Sequence, residues 1–488
     1  MPFLKRVFIL LFLSFIISDL LYSQNIKPNI LVKKYPPTAL REDAGIMKDI
    51  ILKMHPVVGI YRSRSFCEEL FDKFSLSLKD SLTEKQFRIR LKMILDELRC
   101  GHTEALPSKE YIKQSNKEKI GFSPYFFLPL NNKLYLWASV NRKRDTLIKR
   151  SAEIKKINGV SVDTMFTVCK KIISADGFIE SGKNHYLQMG FNSYYPVLFG
   201  RPDTFRVDFM KADKLKSVKY PLIKVKNIPS LILSPKEDSA FVKHKKAALK
   251  YMFIDSAKKS MHLKIHAFSR KRFKSAYRTV FRKMKNNKSE NLIVDLRFNG
   301  GGSLENSYRL LSYLIDTPKT QTLKTAIKTY PDKKHMKGNI YFKLMRFGFG
   351  MIASKKTIND TDNFIYTIKP RKKNHFNGKI YVLINGGSFS ASCLVSAYLK
   401  SNKKTIFIGE ETSGAIEGCN AGITPYYKMP NTNIRIRIPA FRVVHDVSPQ
   451  ITGRGIVPDY KIVYEVEDVL TRKDLELNMV KKLIGISK

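Results

Sequence analysis

The residues best suited to covalent chemistry lie in Gly386-Gly387-Ser388-Phe389-Ser390-Ala391-Ser392. An apolar run, Lys379 to Asn385, precedes them, and a helix-like segment, Cys393 to Lys400, follows. A small-residue turn between a buried strand and a helix presents a serine hydroxyl at the edge of an α/β sheet. Its glycines permit the sharp bend and the close approach of a substrate backbone. The helix that follows points free N–H groups and a partial positive charge at the turn. A Ser-rich turn also serves as a plain helix cap, so its meaning depends on what accompanies it.

Two further segments bear on that question. Asp295-Leu-Arg-Phe-Asn-Gly-Gly-Gly302 closes one predicted strand and opens a helix, which puts its glycine N–H groups at the same carboxyl edge as Ser390. Backbone donors there would stabilise a tetrahedral oxyanion. The competing reading is a phosphate loop, and the glycines lack both GxGxxG spacing and a following Lys-Ser/Thr. The third segment is Gly101-His102-Thr103, where a histidine follows a helix-ending glycine. A lone histidine is usually structural, and this chain has nine.

The elements that must hold these residues divide the chain. Residues 24–117 read as an N-terminal helical domain. Within it Thr83 to Leu98 carries Phe87, Leu91, Ile94, Leu95 and Leu98 on one helical stripe, with Thr83 and Glu84 suited to its start. Residues 118–225 turn to strand patterns at Lys133–Val140 and Thr204–Phe209, and Ala152–Ser161 reads as a strand entering an Asn-Gly hairpin. This β-rich unit is a candidate peptide-binding module. Residues 226–488 read as α/β: Asn291–Leu296, Lys379–Asn385 and Thr405–Gly409 are short β-branched runs that alternate with helical patterns at Leu304–Ile315 and Ala391–Lys400. That alternation implies parallel strands joined by helices. An insertion at 317–379 carries fifteen Lys and Arg against three Asp, and the mixed stretch Tyr341–Ile352. It reads as a packed helical insert, with a lid or membrane-touching loop as the alternative.

Bulk properties limit the function. A chain of 488 residues, 43% hydrophobic, has ample core for several domains. Residues 1–23 read as a secretory signal: Lys5 and Arg6 precede the apolar run Val7–Ile17, which is too short to span a membrane comfortably. Cleavage is expected before Gln24, which places the mature chain outside the cytoplasm, secreted or periplasmic. The net charge of +46 favours anionic partners. No zinc-finger, RNA-recognition or basic-helix pattern is visible and export opposes a nucleic-acid role, so a basic surface, with contact to an anionic envelope or membrane surface as one use, is the expectation. Five scattered cysteines have no metal-ligand spacing, and nothing calls for a metal or organic cofactor.

Taken in order, several segments resemble the tail-specific (C-terminal processing) serine protease family, in particular its tricorn-core-like branch. They are Leu98-Arg-Cys-Gly-His-Thr103, the Ile-x-x-Ile-Asn-Gly of 154–159, the Asp295–Gly302 stretch, Ser388-Phe-Ser-Ala-Ser392, Gly409-Glu-Glu-Thr-Ser-Gly414 and Gly455-Ile-Val-Pro-Asp459. The resemblance spans roughly residues 40–465. It implies an α/β fold: a crotonase-like parallel-sheet protease core with an N-terminal helical cap and a PDZ-like β-rich domain over 118–225. It also implies hydrolysis of peptide bonds in protein tails or unfolded proteins through an acyl-enzyme. Ser390 would be the nucleophile, and the N–H groups of Ala391, Gly301 and Gly302 the oxyanion hole. Many members place a basic Lys one residue after the GExTxG motif, where this chain has Ala415. In the tricorn-like branch a histidine serves, and His102 fits. That branch also has a Glu before its Gly-Val-x-Pro-Asp motif, where this chain has Ile451, Thr452 and Gly453. Glu410, which ends a strand beside the Ser390 turn, is the preferred acid, with Glu411 and Asp446 as alternatives. Cys393 stands where members often carry Glu, and Cys100 where an acidic residue often precedes Gly-His. The missing Lys and acid leave a second function open, a catalytically inactive relative that binds or scaffolds peptides.

Overall fold

The computed structural model describes residues 29–486, apart from 119–120, 122, 140–147, 224–234, 237, 245–246, 270–272, 326–335, 338–353, 359–360, 403 and 449–450. The signal reading of 1–23 and the Tyr341–Ile352 stretch therefore lie outside the described residues.

Three helices build the N-terminal cap: α1 (Pro37–Met54), α2 (Arg64–Ser77) and α3 (Glu84–Asp96). Helix α3 starts where the sequence places it. Thr83 accepts from the Gln86 N–H, and the Gln86 side chain accepts from the Thr83 N–H, a reciprocal cap. Its stripe buries Phe87, Leu91 and Leu95 against α1 and α2. Each such side chain contributes roughly 2 kcal/mol relative to exposure.

The β-rich unit follows. Strands β1 (Tyr125–Leu130), β2 (Lys133–Ser139), β3 (Glu153–Ile157), β4 (Thr204–Lys211) and β5 (Lys214–Pro221) pair antiparallel in the order β1-β2-β3-β4-β5. The hairpin read at Asn158-Gly159 is present: β3 turns back onto Val160–Ser161, with positive φ at both turn residues. Helices α4 (Val162–Lys170) and α5 (Glu180–Leu198) interrupt the strands and pack on the sheet through Met165, Phe166, Leu187 and Phe191. One ion pair ties this unit to the cap. Lys183 Nζ of α5 lies 2.5 Å from Asp96 Oδ2 of α3, both side chains 7% exposed. Burial pushes the Asp96 carboxyl up to about 6 despite Lys183. Lys183→Met strands that carboxyl in the interior and should cost about 3 kcal/mol, read as a lower urea midpoint. An unchanged midpoint would show the pair to be energetically neutral.

The core begins with β6 (Leu249–Phe253) and β7 (Ser260–Ile265), continues through α6 (Phe273–Asn286) and β8 (Asn291–Asp295), and reaches α7 (Leu304–Leu311). Next come β9 (Lys319–Thr325), β10 (Ser354–Ile358), β11 (Thr361–Ile368), β12 (Lys379–Ile384), α8 (Ala391–Lys400) and β13 (Thr405–Gly409). The last elements used below are β14 (Gly418–Ala421), β15 (Phe441–His445), β16 (Tyr460–Lys461) and α9 (Leu475–Leu483). Strands β7, β8, β12, β13 and β16 are parallel and adjacent in that order. Their apolar runs are continuous because helices cover both faces. Helices α6, α7 and α8 bury one face, and α9 packs Val480 with Ile293, Tyr381, Leu383 and Ile408 on the other.

The insertion departs from the expected helical insert. Its described parts are strands: β9 and β11 pair antiparallel, β10 extends the sheet, and β9 joins β15 and β14 on its other edge. In β9 the buried residues are Gln321, Leu323 and Thr325, a period of two in which only one of the buried residues is apolar, so the sequence did not display it. Among the described residues no helix is long and apolar enough to cross a membrane.

Candidate active site

The Ser390 turn leaves β12 and is bonded throughout to the loop after β8. Asn385 Oδ1 accepts from the N–H groups of Gly387 (3.0 Å) and Phe298 (2.9 Å). Ser388 Oγ donates to Leu296 O at 2.8 Å, and Phe389 N donates to Asn299 O at 3.0 Å. Glycine is required at 386 and 387, because a Cβ would fall 2.4 Å from Ser181 O and 2.8 Å from His185 Nε2. At the top of this turn Ser390 has φ 56° and ψ −117°. A non-glycine residue there is strained by about 1–3 kcal/mol, as at other sites that hold a nucleophile clear of its helix. Ser390 makes no cap bond with its own side chain. It lines a cavity of about 1150 Å³ together with His102, Gly300, Gly302, Tyr308, Phe364 and Leu394.

His102 is held from several directions. Arg99, in the left-handed region, ends the turn after α3. The Gly101 N–H donates to Asp176 Oδ1 at 2.8 Å, and His102 O accepts from Arg437 Nε at 3.1 Å. Thr103 Oγ1 lies 2.5 Å from His55 Nε2. The next strand, Glu104–Leu106, pairs with Arg435–Arg437. The imidazole stacks on Phe389 with ring centroids 4.5 Å apart, which brings it to the residue before Ser390. Burial, and to a lesser extent Arg437, push His102 down to about 3, so the ring is neutral. No hydrogen bond joins it to Ser390 in this conformation, and its buried Nδ1 has no partner.

The predicted oxyanion donors divide. Ala391 opens α8 beside Ser390, and among the described residues no acceptor engages its N–H or that of Gly302. The Gly301 N–H, by contrast, donates to Asn299 Oδ1 at 2.9 Å, so it is already engaged. Gly301 serves through its missing side chain, since a Cβ would stand 2.7 Å from Ser390 Cβ and 2.9 Å from Ala391 N.

The preferred acid lies elsewhere. Glu410 accepts from the Gly386 N–H at 3.1 Å and lines a separate cavity with His185, Phe298 and Lys461, outside the cavity that holds His102 and Ser390. A strand end at the correct sheet edge still has two sides, and Glu410 faces away from the imidazole's cavity. Glu411 is committed to Arg454 and to the Gly455 N–H. Cys393 is buried and donates to Ser388 O, and burial raises its thiol to about 12, which suits packing and not attack. All five cysteines are free thiols. Ala415, at the place of the family's lysine, is fully buried.

Two residues of this site carry no signal in the sequence pattern, Asn299 and Asp176. Asn299 sits inside the glycine stretch and bonds Ile265 O, the Gly301 N–H, Phe389 N and Ser392 Oγ, so it joins both loops. Asp176 stands in an ordinary Asp-Gly turn between α4 and α5, with nothing local to mark its partner 75 residues away.

Residues 260–462, the span from β7 to just beyond β16, match Peptidase family S41. That span is similar to the serine-type peptidases of family S41. Mature CPAF is similar at 14% identity and a TM-score of 0.61, over 92% of this chain and 97% of that one. CPAF complexed with lactacystin matches over 92% and 98%, with 14% identity and a TM-score of 0.63. The photosystem II D1 C-terminal processing protease aligns over 89% and 96%, at 12% identity and a TM-score of 0.41. The CPAF likeness extends the shared fold across the cap and β-rich unit of this chain. No curated protein sequence matches the chain significantly.

Proposed function

We propose that the chain is an exported endopeptidase that cleaves protein tails or unfolded proteins through an acyl-enzyme on Ser390, with His102 as general base. The carrying observation is that Ser390, strained at the strand–helix turn, shares one cavity with His102 and Gly302. In the reaction Ser390 Oγ attacks the peptide carbonyl carbon while its proton passes to His102 Nε2. The N–H groups of Ala391 and Gly302 receive the oxyanion. The tetrahedral adduct collapses, the C–N bond breaks, and the imidazolium gives its proton to the leaving amine. Water then attacks the ester, losing a proton to His102, and Ser390 Oγ regains that proton as the acid leaves. Attack requires the ring to swing or the substrate to draw the pair together, since apo geometry is often loose. The β-rich unit is assigned the PDZ-like role of engaging a peptide tail, and the leader at 1–23 directs export.

Fluorophosphonate labelling tests the reading. The mature wild-type chain should be labelled at Ser390, and Ser390→Ala and His102→Ala should both be unlabelled while still folded. A folded wild type that takes no label would overturn it in favour of an inactive peptide binder. N-terminal sequencing of exported protein should find a start near Gln24, and an intact Met1 would reject export with cleavage.

A further inference from the structure

Resting on the assignment of His102 as base, we propose that Asp176 is the residue that positions it, standing in for the acid absent before Gly455. Its Oδ1 already holds the loop, accepting from the Gly101 N–H at 2.8 Å. Its Oδ2 is buried without a partner, and so is His102 Nδ1, on the next residue along. Two complementary orphan atoms thus flank the Gly101–Asp176 contact, and each unpaired buried group costs about 1–3 kcal/mol. Phe389 packs this corner: its ring stacks on His102 and lies 2.8 Å from where a Gly101 Cβ would be. The role requires a side-chain rotation that joins Oδ2 to Nδ1–H. That bond fixes the Nδ1–H tautomer, leaves the Nε2 lone pair for the Ser390 proton, and sets a carboxylate beside the imidazolium that forms. No proton leaves Nδ1.

The other carboxylates near the corner are held by other groups. Glu417 Oε1 accepts from Tyr61 (2.7 Å) and the Gly453 N–H (2.9 Å) and lies 3.6 Å from Arg442; its buried Oε2 has no partner, but no bond runs from Glu417 to the loop that carries His102. Glu104 pairs with Lys92 and Arg437. The segment that carries Asp176 is fixed on both sides: Gly177 N donates to Arg99 O at 3.0 Å and Phe178 N to Gly453 O at 2.8 Å. It therefore lies between the His102 loop and Gly453, just after the Ile451–Thr452 stretch that lacks the family acid. A ring pushed down to about 3 by burial is a weak base, and an adjacent carboxylate is what would strengthen it. The groups facing Asp176 are Arg442, Glu417, Tyr61, Tyr186 and the thiols of Cys100, Cys393 and Cys419. Burial raises its carboxyl to about 7. The ionised form needed to accept from Nδ1–H thus appears as pH rises through about 7.

The test is Asp176→Asn, which keeps an acceptor for Gly101 and removes the charge. For casein hydrolysis we expect kcat to fall about 100-fold or more with KM within about threefold. The wild-type rise of kcat through pH 7 should vanish, and Ser390 labelling should slow in proportion. Wild-type kcat and an unaltered pH profile in Asp176→Asn, with Ser390 still labelled, would overturn the role of Asp176 alone. A loss produced by Glu417→Gln in its place would overturn that role as well. Absence of Ser390 label in the wild type would overturn both readings. Should the variant not fold, imidazole ¹⁵N spectra of the wild type decide. The Nδ1–H tautomer of His102 is expected above pH 7, and the Nε2–H tautomer would overturn the assignment.

Discussion

Ser390→Ala is expected to reduce peptide turnover about 10⁵-fold and to leave the fold intact. Removing the nucleophile of a serine protease leaves only what binding and the oxyanion donors supply, a residual of about 10³–10⁴ over water. The Ser390 hydroxyl caps nothing in its own helix, so its loss costs little stability. Ser390→Gly separates strain from chemistry. It should be equally inactive, yet more stable by about 1 kcal/mol, because glycine accepts φ 56° without penalty. Hydrolysis of a fluorogenic casein and the urea midpoint read the two effects. A Ser390→Ala chain that retains full activity would place the chemistry on another residue.

The largest loss of stability is expected from Arg297→Met. Arg297 is 2% exposed and its guanidinium bonds three carboxylates: Asp295 through Nε (3.0 Å) and Nη2 (2.8 Å), Asp474 at 2.8 and 2.9 Å, and Glu476 at 2.8 Å. Burial alone would raise Asp295, but Arg297, His262 and Lys264 hold it well below the usual carboxylate range. Methionine fills the volume and leaves those carboxylates uncompensated, a loss of about 3–5 kcal/mol. The network joins the end of β8 to α9, so the loop carrying Asn299 and Gly302 should loosen as well, and Ser390 labelling should slow. Denaturant unfolding and labelling rate measure both. The pH sign follows from Asp295. Its lowered folded value contributes stability above about pH 4, which is lost as pH falls toward that folded value. A variant within about 1 kcal/mol of wild type would show that the carboxylates find other partners.

Local pattern was enough for much of this architecture. The stripe at Phe87, Leu91 and Leu95, with Thr83 as cap, specified α3, because helix period and capping act within a few residues. The strands at Asn291–Asp295, Lys379–Ile384 and Thr405–Gly409 were legible as buried β-branched runs, and Ala391–Lys400 as the helix after the turn. The strained turn at Ser390 was foreshadowed by its glycines. The insertion was not legible, because the period of two in β9 runs through polar residues, and β9 is set by pairing with β15, more than 100 residues away in sequence.

What sequence alone determined is therefore the α/β core, the strand–turn–helix that carries Ser390 and the place of His102 after α3. Tertiary structure decided which groups meet at the imidazole. It turned Glu410 into another cavity, engaged the Gly301 N–H with Asn299, and brought Asp176 against Gly101. The physical reason is range. Propensity, capping and burial period are fixed by neighbours along the chain, whereas a hydrogen bond between residues 75 positions apart depends on how whole elements pack.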